Sequence, residues 1–442
     1  MEDPESTTIR TPVPGSEDQN PLVFRDLKRN MFAVVLFEFT WGMGVPFTLY
    51  GSMVPAYLTS MGSSKSFIGF MTSLWTIVTP VQLVVSHFFS SRRRVRHLMI
   101  FYILGVGLRL AYDLAVCLFP SLWTPASSLS LFGLGCTGFT LFITMGSPLY
   151  LGVMTDNVPR NTRGRLYGLR TLGLGLGGLL TGAVAAWVLH HWASPSNYRM
   201  SFLVGDSIFL LSCLSMLPFR DHRPSVPRES ARLFFRSLRS KAGILLSNPN
   251  YRVFLFFHML NACASAVTSF IVPYSKENLR VSDTEIAYLS LIFLGVNMAA
   301  GSLLGRLADR FGYRSVSVVQ ALSLMIFYFM ALNARSLPAV CVAYGFSSIA
   351  GQSLLLVLCN MSVELCPGMA ATDLTAIGNT FLLPFIAVVP SLAGFLIDLT
   401  KSYLSVFLIG FTLSLVALLG VLFLSREPRS GRLYAIREIS TR

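Results

Sequence analysis

The chain has 442 residues, of which 53% are hydrophobic and only 13% charged, and its net charge is +14. Soluble proteins carry roughly 25% charged residues, and a fold of this size needs polar side chains to cover its surface. A soluble globular protein is therefore excluded, and the solvent around most of this chain is lipid.

In lipid only helices and closed barrels satisfy their backbone groups. Barrel strands would read as alternating segments of about 10 residues; the apolar runs here last about 20, the length a helix needs to cross the hydrocarbon. In chain order the pattern predicts spans over 32–57, 67–89, 97–119, 129–153, 166–189 and 200–219, then a polar, basic stretch over 220–250. Six more follow over 251–272, 285–307, 315–332, 338–363, 374–399 and 403–424. No small-residue cleavage site follows the first run, so it is expected to persist as a helix and not to be removed as a signal peptide.

The expected organisation is an acidic, disordered tail and short interfacial helix over 1–28, a six-helix bundle over 29–219 and a basic linker over 220–250. A second six-helix bundle over 251–424 and a basic tail over 425–442 complete it. In the linker, arginines alternate with Leu233, Phe234, Phe235 and Leu238, as in a helix lying on a membrane surface. Residues 21–30 read as a shorter helix of that kind feeding the first span.

With the N-terminus inside, only Lys65, Arg199, Lys276, Arg280, Arg335 and Lys401 fall outside, and Arg109 falls in a span; the other cations lie in cytoplasmic segments. The positive-inside bias thus predicts both termini in the cytoplasm and an even number of spans. The basicity reads as a topology signal and an attraction to anionic lipid, not as a nucleic-acid surface. None of the seven cysteines forms a CxxC or has a histidine at metal-ligand spacing. No phosphate-binding G-x-x-x-x-G-K-[ST] loop, HExxH or GxSxG motif occurs, so neither ATP-driven pumping nor an enzyme is indicated. No cofactor or metal is expected.

The two sets of six spans repeat each other. Ile68-Gly-Phe-Met-Thr72 opens the second span and Ile286-Ala-Tyr-Leu-Ser290 the eighth; carried forward, this register sets Arg92 opposite Arg310 and Arg96 opposite Arg314. Asp156-x-x-Pro159 after the fourth span matches Glu364-x-x-Pro367 after the tenth. Internal repeats of this kind are the usual build of secondary transporters, with the substrate site at the repeat interface near the midplane.

Between spans eight and nine lies Gly305-Arg-Leu-Ala-Asp309-Arg310-Phe-Gly312-Tyr-Arg314. This resembles the signature loop of the major facilitator superfamily, G-x-x-x-D-R-x-G-[RK]-[RK], with Tyr313 departing from it. Here Gly305 would let two helices approach, Gly312 would permit a tight turn, Asp309 would cap a helix end and pair with arginines, and Arg310 and Arg314 would face anionic headgroups and partner carboxylates. The first-half copy, running from His87 to Arg96, lacks the Gly and Asp, so the resemblance implies a weakened or altered cytoplasmic charge lock. Arg163, Arg165 and Arg170 resemble the loop between spans four and five. They are expected to pair with Asp156, or with Glu364 and Asp373 across a cytoplasmic gate, or simply to supply inside-positive charge. The fifth span has the glycines of the antiporter signature but not its proline. Gly173, Gly177, Gly178, Gly182, Gly301 and Gly305 form small-residue stripes expected to bring spans five and eight together.

The resemblance implies a twelve-helix fold of two pseudo-symmetric bundles whose spans one, four, seven and ten line a cavity. Glu38 is the only carboxylate well inside those spans, roughly 10 Å from the end of its helix. Charged groups in a membrane are functional by default, so Glu38 reads as a proton site or as the partner of a basic loop. Trp41 shares its face at i+3, and Gly44 and Pro46 predict a bend. His258 and Asn261 occupy the matching depth of span seven; Tyr344 and Gln352 offer hydrogen bonds from span ten. Arg109 and Asp113, at i and i+4, are expected to neutralise each other, and Asp206 stands as an isolated carboxylate.

These features point to a monomeric, proton-coupled secondary transporter of a small or amphipathic solute working by alternating access. A passive facilitator, a lipid translocator and a transporter-like receptor or scaffold stand as alternatives on the same fold. Short loops suggest a bacterial inner membrane, with organellar and plasma membranes left open by the acidic tail.

Overall fold

A computed structural model describes residues 21–89, 94–222, 231–366, 371–425, 427 and 428. Among them the chain is helical, with no β-strand. α1 (Pro21–Thr48) and α2 (Met53–Ser60) make the first predicted span; α3 (Lys65–Val78) and α4 (Val81–Phe88) make the second. α5 (Arg94–Leu118), α6 (Pro125–Asp156), α7 (Arg160–His191) and α8 (Ser196–Leu214) follow. α9 (Ala231–Ser247) lies in the basic linker. α10 (Pro249–Ala266) and α11 (Ile271–Asn278) make the seventh span, and then come α12 (Asp283–Phe311), α13 (Tyr313–Asn333), α14 (Leu337–Leu365), α15 (Ala371–Thr400) and α16 (Leu404–Phe423).

Ten stretches among the described residues are long and apolar enough to cross a membrane. The second and sixth predicted spans are not among them. A turn at Thr79 and Pro80 divides α3 and α4 into 14 and 8 residues, while α8 has 19 and carries Asn197, Arg199 and Asp206. The proline has no N–H for the ladder, and the Thr79 N–H bonds back three residues to Thr76 O at 3.2 Å. The separate interfacial helix expected over 21–30 does not form: α1 runs unbroken from Pro21, because no glycine interrupts the helix pattern before Gly42. Other helix starts follow local chemistry. Pro125 and Pro249 occupy first-turn positions, and Ser282 with Glu285 closes a capping box at α12.

Packing differs between the two ends of the helices. At the end opposite the start of α1, the far end, one apolar cluster joins both halves of the chain. Met53, Tyr57, Ile68, Phe132, Tyr198 and Phe202 pack there with Phe270, Ile271, Ile286, Tyr328, Tyr344 and Phe407. At the end where α1 begins, the terminal end, there are two clusters, one built from α1 and α4–α8 and one from α9, α10 and α12–α15. In a membrane, lipid is as apolar as leucine, so close packing and small residues decide where helices touch. A Cβ on Gly69 of α3 would collide with the Pro390 carbonyl, and one on Gly394 of α15 with that of Lys65. Gly178 and Gly182 of α7 receive Leu294 and Leu291 of α12, the expected contact of spans five and eight. The remaining glycines of the expected stripes do not join it: Gly173 and Gly177 abut α1 at Val35 and Phe39, Gly301 faces the Gln352 amide, and nothing approaches Gly305.

Candidate functional site

The first and seventh spans are both interrupted. α1 ends at Thr48, residues 49–52 leave the helix, and α2 resumes at Met53. α10 ends at Ala266, and a 3-10 turn over Thr268–Phe270 precedes α11. The bend expected at Gly44 and Pro46 therefore lies further on. Gly44 is a packing position, filled by the Phe209 ring and the Gly205 carbonyl. The break in the first span meets the other half of the chain directly. Ser52 Oγ lies 2.6 Å from Ser290 Oγ of α12. Gly51 faces the Tyr344 hydroxyl of α14, which a Cβ would approach to 2.9 Å. Tyr50 turns back into its own half, 3.1 Å from Thr140 Oγ1 of α6.

Buried polar groups lie on α10 ahead of its break and on α13. His258 and Asn261 on α10 are 3% and 1% exposed, and His258 Nε2 and both amide atoms of Asn261 have no hydrogen-bond partner among the described residues. Buried polar atoms are normally satisfied, so such groups call for water or a ligand. Gln320 on α13, fully buried with both amide atoms unpartnered, is a third such group that the sequence did not single out.

Glu38 is 4% exposed and paired. Its Oε1 accepts from the Tyr150 hydroxyl of α6 at 2.8 Å and from Nε of Arg170 on α7. The Arg170 guanidinium also lies 5.3 Å from the Tyr150 ring centroid. Of the two roles open to Glu38, partner of a basic residue is the one the geometry supports, and Arg170 thereby leaves the expected gate pairing. Trp41 stacks on Phe209 at 4.2 Å and sits 5.5 Å from Phe37 and from Tyr102, inside the N-terminal half.

The expected pairing of Arg109 with Asp113 does not occur. Arg109, 1% exposed, forks onto both carboxylate oxygens of Asp206 on α8, with Nε 2.6 Å from Oδ2. Asp206 is thus not isolated. Asp206, on a facing helix, offers both oxygens to the planar guanidinium, the bidentate arrangement that makes such pairs strong. Phe139 supports the cation, its ring centroid 3.9 Å from Cζ.

In the signature loop Gly312 has φ 80°, the left-handed region that favours glycine, and it links α12 to α13. Arg314 binds backbone carbonyls within its own half. It donates from Nε to Val421 O at 3.1 Å and from Nη2 to Leu422 O at 2.6 Å, capping the end of α16. Arg310 lies 5.1 Å from the Phe311 ring, and Asp309 is exposed at the end of α12. In the first-half copy the working residue is Arg94, 2% exposed. It donates to Asp221 from Nε and Nη2 at 2.9 and 2.6 Å and to Asp156 from Nη1 at 2.6 Å. Asp156 is therefore bound by Arg94, a residue outside the loop after α6 that was expected to supply its partner. Arg96 and Arg165 are exposed, and Glu364 is half-buried in the last turn of α14. Arg92 and the side chains of Arg163 and Asp373 lie outside the described residues.

The far end carries a polar network that crosses between the halves and that sequence reasoning missed. Asp283 of α12 accepts from Asn197 Nδ2 and from the Tyr198 hydroxyl of α8, both at 2.8 Å, and from Lys276 of α11. Lys276 also donates to Ser60 Oγ at 2.7 Å. Asp398 of α15 accepts from the backbone N–H groups of Lys65 and Ser66, each at 2.9 Å, and from Ser66 Oγ at 2.7 Å. Glu277 is held by Lys65 and by the Tyr403 hydroxyl, the latter at 2.6 Å.

A sequence model of the Major Facilitator Superfamily matches residues 31–260 and 254–440. Among curated proteins, none matches the sequence. Solved structures share the fold at low identity. The nucleoside transporter NupG is 11% identical with a TM-score of 0.61, over 89% of this chain and 98% of that one. The xylose transporter XylE from E. coli, in a partially occluded inward-open conformation, is 15% identical with a TM-score of 0.62, over 90% and 98%. A POT family transporter in complex with 5-aminolevulinic acid is 13% identical with a TM-score of 0.63, over 91% and 96%. The chain is an integral, multi-pass membrane protein and belongs to the Major Facilitator Superfamily, as a transporter and not an enzyme.

Proposed function

We propose that this protein is a proton-driven secondary transporter of a small, neutral, hydrogen-bonding solute, working by alternating access between the two halves of the chain. The observation that carries the reading is the break in the first span, which meets the other half of the chain at Ser52 and Ser290, with a matching break in the seventh span. Discontinuous helices at a repeat interface are where transporters of this build form their substrate sites. The unpartnered, uncharged groups of His258 and Asn261 near the second break suit a sugar, nucleoside or similar ligand better than a strong anion. The charged groups nearby, Glu38 with Arg170 and Arg109 with Asp206, already satisfy one another.

The shared apolar cluster and the polar network close the far end, while the terminal-end clusters are separate. With the basic segments at the terminal end taken as cytoplasmic, this is the inward-facing state.

The test is uptake into proteoliposomes of a panel of nucleosides, pentoses and hexoses, with and without an imposed pH gradient. Accumulation above the external concentration, abolished by a protonophore, is the expected result. Equilibration that ignores the gradient would make the protein a facilitator. Movement of labelled phospholipid in place of solute would make it a lipid translocator, and movement of neither would overturn transport of these classes.

A further inference from the structure

We propose that the coupled proton is carried by the Asp113–Asp206 carboxyl pair, clamped by Arg109 directly behind the break in the first span, and not by Glu38. Asp113, on α5, is 1% exposed, and neither carboxyl oxygen has a hydrogen-bond donor among the described residues. Its carboxyl group lies against that of Asp206, whose two oxygens are both occupied by the Arg109 guanidinium.

Charge counting separates this site from Glu38. Two carboxyl groups here share one guanidinium. With one proton on Asp113 the triad is neutral and the proton itself bonds Asp113 to Asp206; without it a net negative charge remains in the membrane. Ionised carboxylates only accept hydrogen bonds, like charges at such range resist joint ionisation, and an unbalanced charge in the bilayer is expensive. The Glu38–Arg170 pair is neutral with no proton at all, so protonating Glu38 would strand a cation. Binding and release make and break one O–H bond on Asp113, with the proton exchanged with water.

The surroundings give the triad a route and a lever. The other titratable or charged groups around it are Tyr112 and Cys117 on α5, Cys136 on α6, Arg199 on α8, Tyr50 in the first-span break and Tyr57 on α2. Toward the far end the hydroxyls of Tyr112 and Tyr57 lie 3.4 Å apart, and Arg199 reaches Tyr57 at 3.4 Å and Ser128 at 3.2 Å. On the other side the Arg109 Cζ lies 6.0 Å from the ring of Tyr50, which is followed by Gly51 and Ser52, the residues that touch Tyr344 and Ser290. Loss of the proton recruits Arg109 toward Asp113, loosening its hold on Asp206 and on the break that meets the other half.

The inference rests on the proton-driven reading, yet it is tested without a substrate. Infrared spectra of the purified protein, recorded from acid to alkaline pH, should show the carbonyl stretch of a protonated, buried carboxylic acid that shifts in heavy water. The band should vanish in Asp113→Asn, move in Asp113→Glu and persist in Glu38→Gln. A wild-type protein with no such band overturns the site, as does a band that survives Asp113→Asn and disappears in Glu38→Gln. The isotope shift needs no variant, so a misfolded mutant does not spoil the test. Gradient-insensitive uptake by the wild type would count against proton drive alone, so the two readings fail separately.

Discussion

The two ends of the helix bundle are held by different means. At the far end, Asp283, Asp398 and Glu277 bind groups from the opposite half, and the apolar core beneath them is continuous. At the terminal end, Arg94 with Asp156 and Asp221, and Arg314 with the end of α16, each join elements of one half above separate cores. The first arrangement must come apart if the molecule is to open on that side. The second can stay intact through such a motion, because it braces each half as a body. Charged networks thus do two jobs here, latching and stiffening, and burial alone does not tell them apart.

Removing one member of each network should separate these jobs. Asp283→Ala leaves Lys276, 12% exposed at its side chain, with no carboxylate, and breaking such a nearly buried pair costs about 3 to 5 kcal/mol. The far end should open, so a cysteine placed at Ser60 should react much faster with a membrane-impermeant maleimide than it does beside Asp283. Unchanged labelling would show that the apolar cluster alone closes this end. Arg94→Ala takes the shared guanidinium from Asp156 and Asp221 and should lower the thermal midpoint by the equivalent of about 3 kcal/mol, while labelling at Ser60→Cys stays as it was. If labelling rises as well, the stiffening role is wrong.

Smaller effects sharpen the comparison. Gly312→Ala places a side chain at φ 80° and against Glu427, costing about 1 to 3 kcal/mol of stability; thermal unfolding should report it with no change in far-end labelling. Ser52→Ala removes one hydrogen bond to Ser290 at the seam, worth about 1 kcal/mol. It should speed maleimide labelling at Ser60→Cys only a few-fold, and an effect as large as that of Asp283→Ala would move the latch to the break itself.

Much of the fold was legible because hydropathy and length report on the solvent directly. The spans, the linker helix α9 and the turn at Gly312 follow from residue types in local sequence. The partners of charged residues were not legible, and the reason is geometric. Spacing along a helix gives the face a residue shares, but not which neighbouring helix that face meets. Arg109 therefore looked like a partner of Asp113, four residues on, when the acceptor that fits its planar fork is Asp206, 97 residues away. Glu38 stood out through its rarity in a span, while the identity of its partner, Arg170 at a separation of 132, carried no local signal. Arg94 could not be told from Arg96 by composition, since only the helix azimuth turns the one inward and leaves the other exposed. The breaks at 49–52 and 267–270 contain no proline, and the proline three residues earlier, Pro46, drew attention away from the first.

Asp398 is a helix cap that one half of the chain supplies to the other. It takes up the free N–H groups at the start of α3, which an isolated helix would leave to water. Whenever the halves part at the far end, those two amides lose their acceptor and meet solvent. The backbone hydrogens of Lys65 and Ser66 are thus a native clock of the opening motion. Their exchange with deuterated water should be slow while the far end is closed and should quicken in step with each excursion, with no label or mutation added to the protein.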